Sequence, residues 1–161
     1  MHDFSISQDQ SPEILYRDLI SAARALTDGE PDAIANMANV SALIWQYVPD
    51  LNWAGFYRVV DDELVLGPFQ GKTACIRISM GKGVCGTAAA TDKVQRVADV
   101  HAFPGHIACD ADSRSELVVP VSSSGKVIAV LDLDSPLPER FSAEDETGMT
   151  DLIAAIANSL G

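Results

Sequence analysis

Three cysteines, Cys75, Cys85 and Cys109, are the residues of this 161-residue chain best suited to covalent chemistry. An odd number of thiols in a chain of this size fits catalytic or metal-bound sulfur better than a framework of structural disulfides. Their surroundings differ. Cys75 lies in the alternating run Thr73-Ala74-Cys75-Ile76-Arg77-Ile78, where a buried, inert thiol is the common outcome. Cys85 follows Gly81-Lys82-Gly83-Val84 in the first turn of an expected helix, where free N–H groups and the helix dipole lower a thiol pKa. By local physics it is the most reactive of the three. Cys109 stands beside Asp110 and Asp112, and these acids disfavour its thiolate unless His101 or His106 counters them. A zinc site built from the cysteines and His106 is a further use, but the spacings match no common zinc pattern.

Three carboxylates form the second chemical group. The segment Ser115 to Asp134 reads as a hairpin, with Gly125 supplying the left-handed residue of a three-residue loop. Ser122 then pairs with Lys126, and Glu116 faces Asp132. Asp134 shares that face, because successive side chains on a strand alternate sides. The strand from Val127 to Leu133 is apolar on both faces, so the acids sit at the end of a buried strand. Clustered buried acids repel one another, and a cation would offset the cost. That cation is either a divalent metal held by oxygen ligands or the ammonium group of a small ligand. One acid of such a set can carry a raised pKa and donate a proton. Trp53, Gly55 and Tyr57 share a face of another strand, two aromatic rings flanking a glycine. They form either the wall of a pocket or ordinary core packing.

Positioning these groups takes one domain of mixed α/β (α+β) class. The chain is 47% hydrophobic, enough for one sizeable core. Residues 1–10 are polar and read as a flexible segment, with a single domain over 11–161. Ser11-Pro12-Glu13 opens a helix with apolar positions Leu15, Leu19, Ala22, Ala23 and Leu26. Pro31 and Asp32 open a second, with Ile34, Met37, Ser41, Ile44 and Val48 on one stripe. Short strands follow over 52–60, 63–66, 73–78, 95–97, 116–122 and 126–134, forming a mostly antiparallel sheet. Residues 98–115 read as one long loop, and Ser142 with Asp145 as the capping box of a last helix. The net charge of −12 argues against nucleic acid and anionic membranes as partners. The polar start lacks the regions of a signal peptide, which points to the cytoplasm.

The segments NWAGFY (52–57), GPFQGKTACIRI (67–78), GKGVCGTA (81–88), HIACDADSRSELVVPV (106–121) and VLDLDS (130–135), with cysteines spaced 10 and 24 residues apart, resemble the free methionine-(R)-sulfoxide reductases, a GAF-domain family. The resemblance implies a GAF fold: a six-stranded antiparallel sheet with the terminal helices on one face and a ligand pocket on the other. It implies reduction of free L-methionine-(R)-S-oxide in defence against oxidative stress, with electrons from thioredoxin and no metal or organic cofactor. Such proteins are often dimers. Carried over by position, Cys109 is the nucleophile and Cys75 the likelier resolving thiol, with Cys85 able to substitute or assist. Trp53 and Tyr57 enclose the methyl sulfinyl end, while Glu116, Asp132 and Asp134 hold the ammonium and help protonate the sulfoxide oxygen. Backbone N–H groups of the Gly81–Gly86 turn are the candidates for the substrate carboxylate. The competing reading is a non-catalytic GAF sensor or binding module for a small molecule.

Overall fold

The computed structural model describes residues 10–107 and 109–161. The expected flexible segment lies outside them except for Gln10. Two helices lead. In α1 (Pro12–Thr27) Ser11 caps the N-terminus and Tyr16, Leu19, Ala22 and Ala23 are buried. Asp32 caps α2 (Ala33–Tyr47), accepting from the Ala35 N–H at 2.9 Å. The buried face of α2 runs through Met37, Val40, Ser41, Leu43, Ile44 and Tyr47. Ile34, expected on that stripe, is exposed. Its Cα lies roughly a third of a turn from the centre of the buried face.

The sheet follows: β1 (Trp53–Val60), β2 (Glu63–Gly71), β3 (Arg77–Ser79), β4 (Gln95–Val97), β5 (Ser115–Ser123) and β6 (Lys126–Ser135), in the order β3-β2-β1-β6-β5-β4. Every neighbouring pair is antiparallel. Between the short strands stands α3 (Gly83–Thr91), and α4 (Ala143–Ile156) follows β6. The Ser142–Asp145 capping box forms at the start of α4 as expected. Asp145 also accepts from the Tyr16 hydroxyl at 2.6 Å and from Arg140 at 2.9 Å, which fastens α4 to α1.

Three expectations about the strands need correction. First, β2 extends to Gly71 through Gly67-Pro68, because a bulge opposite Gly55–Tyr57 places the proline where its missing N–H breaks no ladder bond. Second, the expected strand 73–78 shrinks to Arg77–Ser79, so Cys75 lies in a connecting segment and not in the sheet. Side chains of β1 satisfy carbonyls of that segment: the Trp53 indole N–H donates to Lys72 O at 3.1 Å, and the Tyr57 hydroxyl donates to Cys75 O at 2.9 Å. Third, the hairpin loop has two residues, Ser124 and Gly125, both left-handed with φ of 51° and 74°. Ser123 pairs with Lys126, and a bulge at Val121/Ser122 shifts the remaining ladder. Glu116 therefore faces Asp134, and Val118 faces Asp132. The register error is two residues, an even number, so the three acids still share a face.

Strand alternation divides the interior into two layers. Ala54 and Phe56 of β1, Leu117, Val119 and Val121 of β5, and Leu131 and Leu133 of β6 pack under α1, α2 and α4. Trp53, Tyr57, Val118 and Val130 face the other way, toward α3. None of the helices of the described residues is long and apolar enough to cross a membrane.

Candidate active site

Beneath α3 the sheet borders a cavity of about 40 Å³. Its lining includes Trp53, Tyr57, Cys85, Cys109, Glu116, Asp132 and Asp134, so most of the site residues expected from sequence come together there. Cys75 joins them covalently through a disulfide to Cys109, with Cα atoms 5.5 Å apart. The bond links the segment after β2 to the long loop before β5.

The aromatic wall is deeper than the sequence indicated. Trp53 and Tyr57 lie near-parallel with ring centroids 5.8 Å apart. The gap at Gly55 is filled by Phe69, whose ring stacks on Trp53 at 5.2 Å. A Cβ at Gly55 would collide with Phe69, so glycine is needed here for close approach of a neighbouring strand. Phe69 was missed because Gly67-Pro68 reads as a strand breaker.

Glu116 and Asp132 are each only 6% exposed. Burial pushes the Glu116 carboxyl well above the ordinary carboxylate range, and the nearby Asp132 charge adds to it. Asp134 is raised in the same way, by burial and then by Asp132. Burial also pushes Asp132 up to about 6. Among the described residues no basic side chain forms an ion pair with any of the three. Asp132 Oδ1 is buried without a hydrogen-bond partner. An oxygen in that position gains most from a cationic donor.

The cysteines depart from the local reading. Cys85 does occupy the first turn of α3, but it is buried, its thiol directed at Glu116 Oε1 at 3.8 Å. Burial, followed by the charges of Asp132 and Glu116, pushes this thiol well above its ordinary pKa. A helix terminus supplies about 0.3–1 kcal/mol, too little against that desolvation. Cys85 is thus held toward its unreactive thiol form, the reverse of what its sequence position indicated. Cys109 is half-buried, and the acids beside it are engaged elsewhere. Asp112 accepts from Lys72 Nζ at 2.6 Å, and Asp110 lies 3.7 Å from the same ammonium while accepting from the Asn52 amide at 3.3 Å. The counter-charge is therefore Lys72, 37 residues away in sequence, which the local reading overlooked. Burial, with His101 beside it, holds His106 toward its neutral form. Among the described residues the cysteines and His106 form no common metal-ligating group, and two of the three sulfurs are paired with each other in the disulfide.

The Gly81–Gly86 turn leads into α3, whose N-cap residue Lys82 offers no side-chain cap to the first N–H groups. Gly83, Val84 and Lys82 line the cavity. The arrangement has the groups to receive a small zwitterion, with acids for its cation, helix N–H groups for its anion, aromatic rings for an apolar end and a disulfide-bonded sulfur pair at its side.

Comparison with known proteins gives the family. Residues 34–160 match the family model described as GAF domain. A free methionine-R-sulfoxide reductase of Escherichia coli is 53% identical over 145 residues, spanning 90% of this chain and 88% of the relative. One of Saccharomyces cerevisiae is 43% identical over 161 residues, spanning 95% and 89%. The crystal structure of free methionine-R-sulfoxide reductase from Neisseria meningitidis in complex with its substrate superposes with a TM-score of 0.94, at 40% identity over 99% of this chain and 96% of that one. With this fold, these motifs and these relatives, the chain belongs to the GAF-domain family of free methionine-R-sulfoxide reductases.

Proposed function

We propose that this protein reduces free L-methionine-(R)-S-oxide to L-methionine in the cytoplasm, using Cys109 as nucleophile, Cys75 as resolving thiol and thioredoxin as reductant. The observation that carries the reading is the Cys75–Cys109 disulfide placed on the wall of a cavity that also holds three buried acids and two aromatic rings. In the reduced form the Cys109 thiolate attacks the sulfoxide sulfur while the sulfoxide oxygen takes up a proton. Burial, with the Asp132 charge beside it, raises the Glu116 pKa and favours its protonated form, which supports the role of donor. The oxygen then passes from the substrate sulfur to Cys109: the substrate S–O bond and the bond between the two sulfurs break, methionine leaves, and Cys109 carries the oxygen as a sulfenic acid. The Cys75 thiol then displaces that oxygen as water, giving the disulfide. Thioredoxin supplies two electrons by thiol exchange and restores both thiols. The two electrons that reduce the sulfoxide come from the cysteine pair, so the cycle requires no metal or organic cofactor.

Asp132 and Asp134 hold the substrate ammonium, and the unpartnered Asp132 Oδ1 supports this assignment. The first N–H groups of α3 take the carboxylate, and Trp53 and Tyr57 enclose the methyl sulfinyl end. A peptide-bound methionine sulfoxide has no ammonium to offer, so its binding would leave the buried acids unsatisfied. Cys85, buried against the acids, assists the site without attacking. In this reading the protein works as a homodimer, an expectation that comes from the family resemblance.

A coupled assay with thioredoxin, thioredoxin reductase and NADPH on both free epimers tests the activity. Rapid NADPH oxidation is expected with the R epimer alone. Comparable rates on an N-acetylated or peptide substrate would overturn the role given to the acids.

A further inference from the structure

Cys85, Glu116 and Asp132 form a donor set at the floor of the cavity. One ligand atom from each lies within 4.8 Å of the others, and all three residues are buried. A second observation points to a missing cationic partner: Asp132, 94% buried by its 6% exposure, carries the orphan Oδ1. We propose that these three residues bind a borderline-soft divalent cation, Zn²⁺ being the type, at a site distinct in chemistry from the ammonium contact described above.

The geometry is within reach of the metal. Tetrahedral zinc, with bonds of about 2.3 Å to sulfur and 2.0–2.2 Å to oxygen, sets neighbouring donors about 3.5 Å apart. The donor atoms, within 4.8 Å of one another, would have to close by about 1 Å to reach that spacing. The cavity, about 40 Å³, has room for an ion and a water as fourth ligand. Composition sets the preference. A thiolate with two carboxylates suits zinc or cobalt, whereas calcium and magnesium require six or more oxygens or a retained water shell. On binding, the Cys85 S–H proton and any proton held by the Glu116 or Asp132 carboxyl pass to solvent as the sulfur–metal and oxygen–metal bonds form, with no change of oxidation state. Binding uses only residues of this chain. Its consequence rests on the proposed function: a cation here takes the oxygens meant for the substrate ammonium, so metal and substrate exclude each other.

The disulfide makes the test clean, since in the oxidised protein Cys85 is the one free thiol. Chelator-treated oxidised protein is titrated with Co²⁺ alone. One cobalt per chain is expected, with a sulfur-to-cobalt charge-transfer band in the near ultraviolet that Zn²⁺ bleaches and Mg²⁺ leaves intact. Asp132→Asn should bind at least about tenfold more weakly, and Cys85→Ala should lose the band. Should Cys85→Ala fail to fold, alkylation of Cys85 in the unaltered protein serves instead: at cobalt about ten times its Kd, labelling slows about tenfold. No band in the unaltered protein, the same band in Cys85→Ala, or labelling unchanged by cobalt would each overturn the site. None of these readouts involves turnover, so the activity and the metal site stand or fall separately.

Discussion

The two faces of the sheet are built from the same strands and do opposite things. On β6, Leu131 and Leu133 are fully buried under the helices, and Asp132 between them points into the cavity. On β1, Ala54 and Phe56 face the helices, whereas Trp53 and Tyr57 wall the cavity. On β5, Leu117 and Glu116 divide in the same way. One step along a strand separates a residue that holds the fold from one proposed to hold a ligand. The helix face gains stability from apolar burial. The cavity face buries carboxyls and a thiol whose charged forms all resist burial, and this opposes folding. The difference teaches that stability in one layer offsets chemistry in the other, and that mutations on the two faces should separate cleanly.

The largest effect should come from the sulfurs of the cavity face. Cys109→Ser is expected to abolish methionine formation even in a single turnover, with the fold intact. Cys75→Ser should still release about one methionine per chain and then fail to recycle, because the sulfenic acid precedes the resolving step. Quench-flow product counting, with mass spectrometry of the thiol states, reads both. A full first turnover in Cys109→Ser would move the nucleophile to another cysteine.

Next comes the contrast across one strand. Leu131→Ala should lose about 2–5 kcal/mol in denaturant titrations, with kcat/KM of the folded protein little changed. Glu116→Gln and Asp134→Asn should do the reverse, lowering kcat/KM by about one to two orders of magnitude with no loss of stability. If the acid variants were destabilised as much as Leu131→Ala, the division between faces would collapse.

The smallest effect is a pH dependence. The Asp132 carboxyl rises from 3.8 to about 6, so the native state keeps a proton that the unfolded chain gives up. Stability is then greatest below about pH 4 as far as this group is concerned, and falls as pH rises through about 6. Glu116 and Asp134, raised as well, act in the same direction. Thermal melts of ligand-free protein across this range should show the decline, and Asp132→Asn should flatten it. An identical slope in the variant would mean that burial of this carboxyl is not its source.

Much of this architecture was legible in the sequence, and the failures share a cause. Helix ends were readable because Ser11, Asp32 and Ser142 cap within three residues, a purely local signal. The convergence of Glu116, Asp132 and Asp134 survived a wrong register because facing depends only on odd or even position. Cys75 was misplaced because hydrogen bonds from Trp53 and Tyr57, distant in sequence, draw its segment away from the sheet. Cys85 was misjudged because the helix dipole is visible locally and the burial against Asp132 and Glu116 is not. Lys72, which engages the acids beside Cys109, reaches them only after the chain has folded.

The Cys75–Cys109 bond closes a ring across 34 positions of sequence, enclosing β3, α3 and β4. By the chain-entropy account, a ring of that length removes about 4 kcal/mol of freedom from the unfolded chain. Under the proposed cycle the ring opens and closes at every turnover, so the protein is hardest to unfold while it waits for electrons and softest when it is ready for substrate. In a cell short of reductant, the pool would drift toward the idle, tethered form, which is also the form best able to outlast heat and proteolysis until reducing power returns.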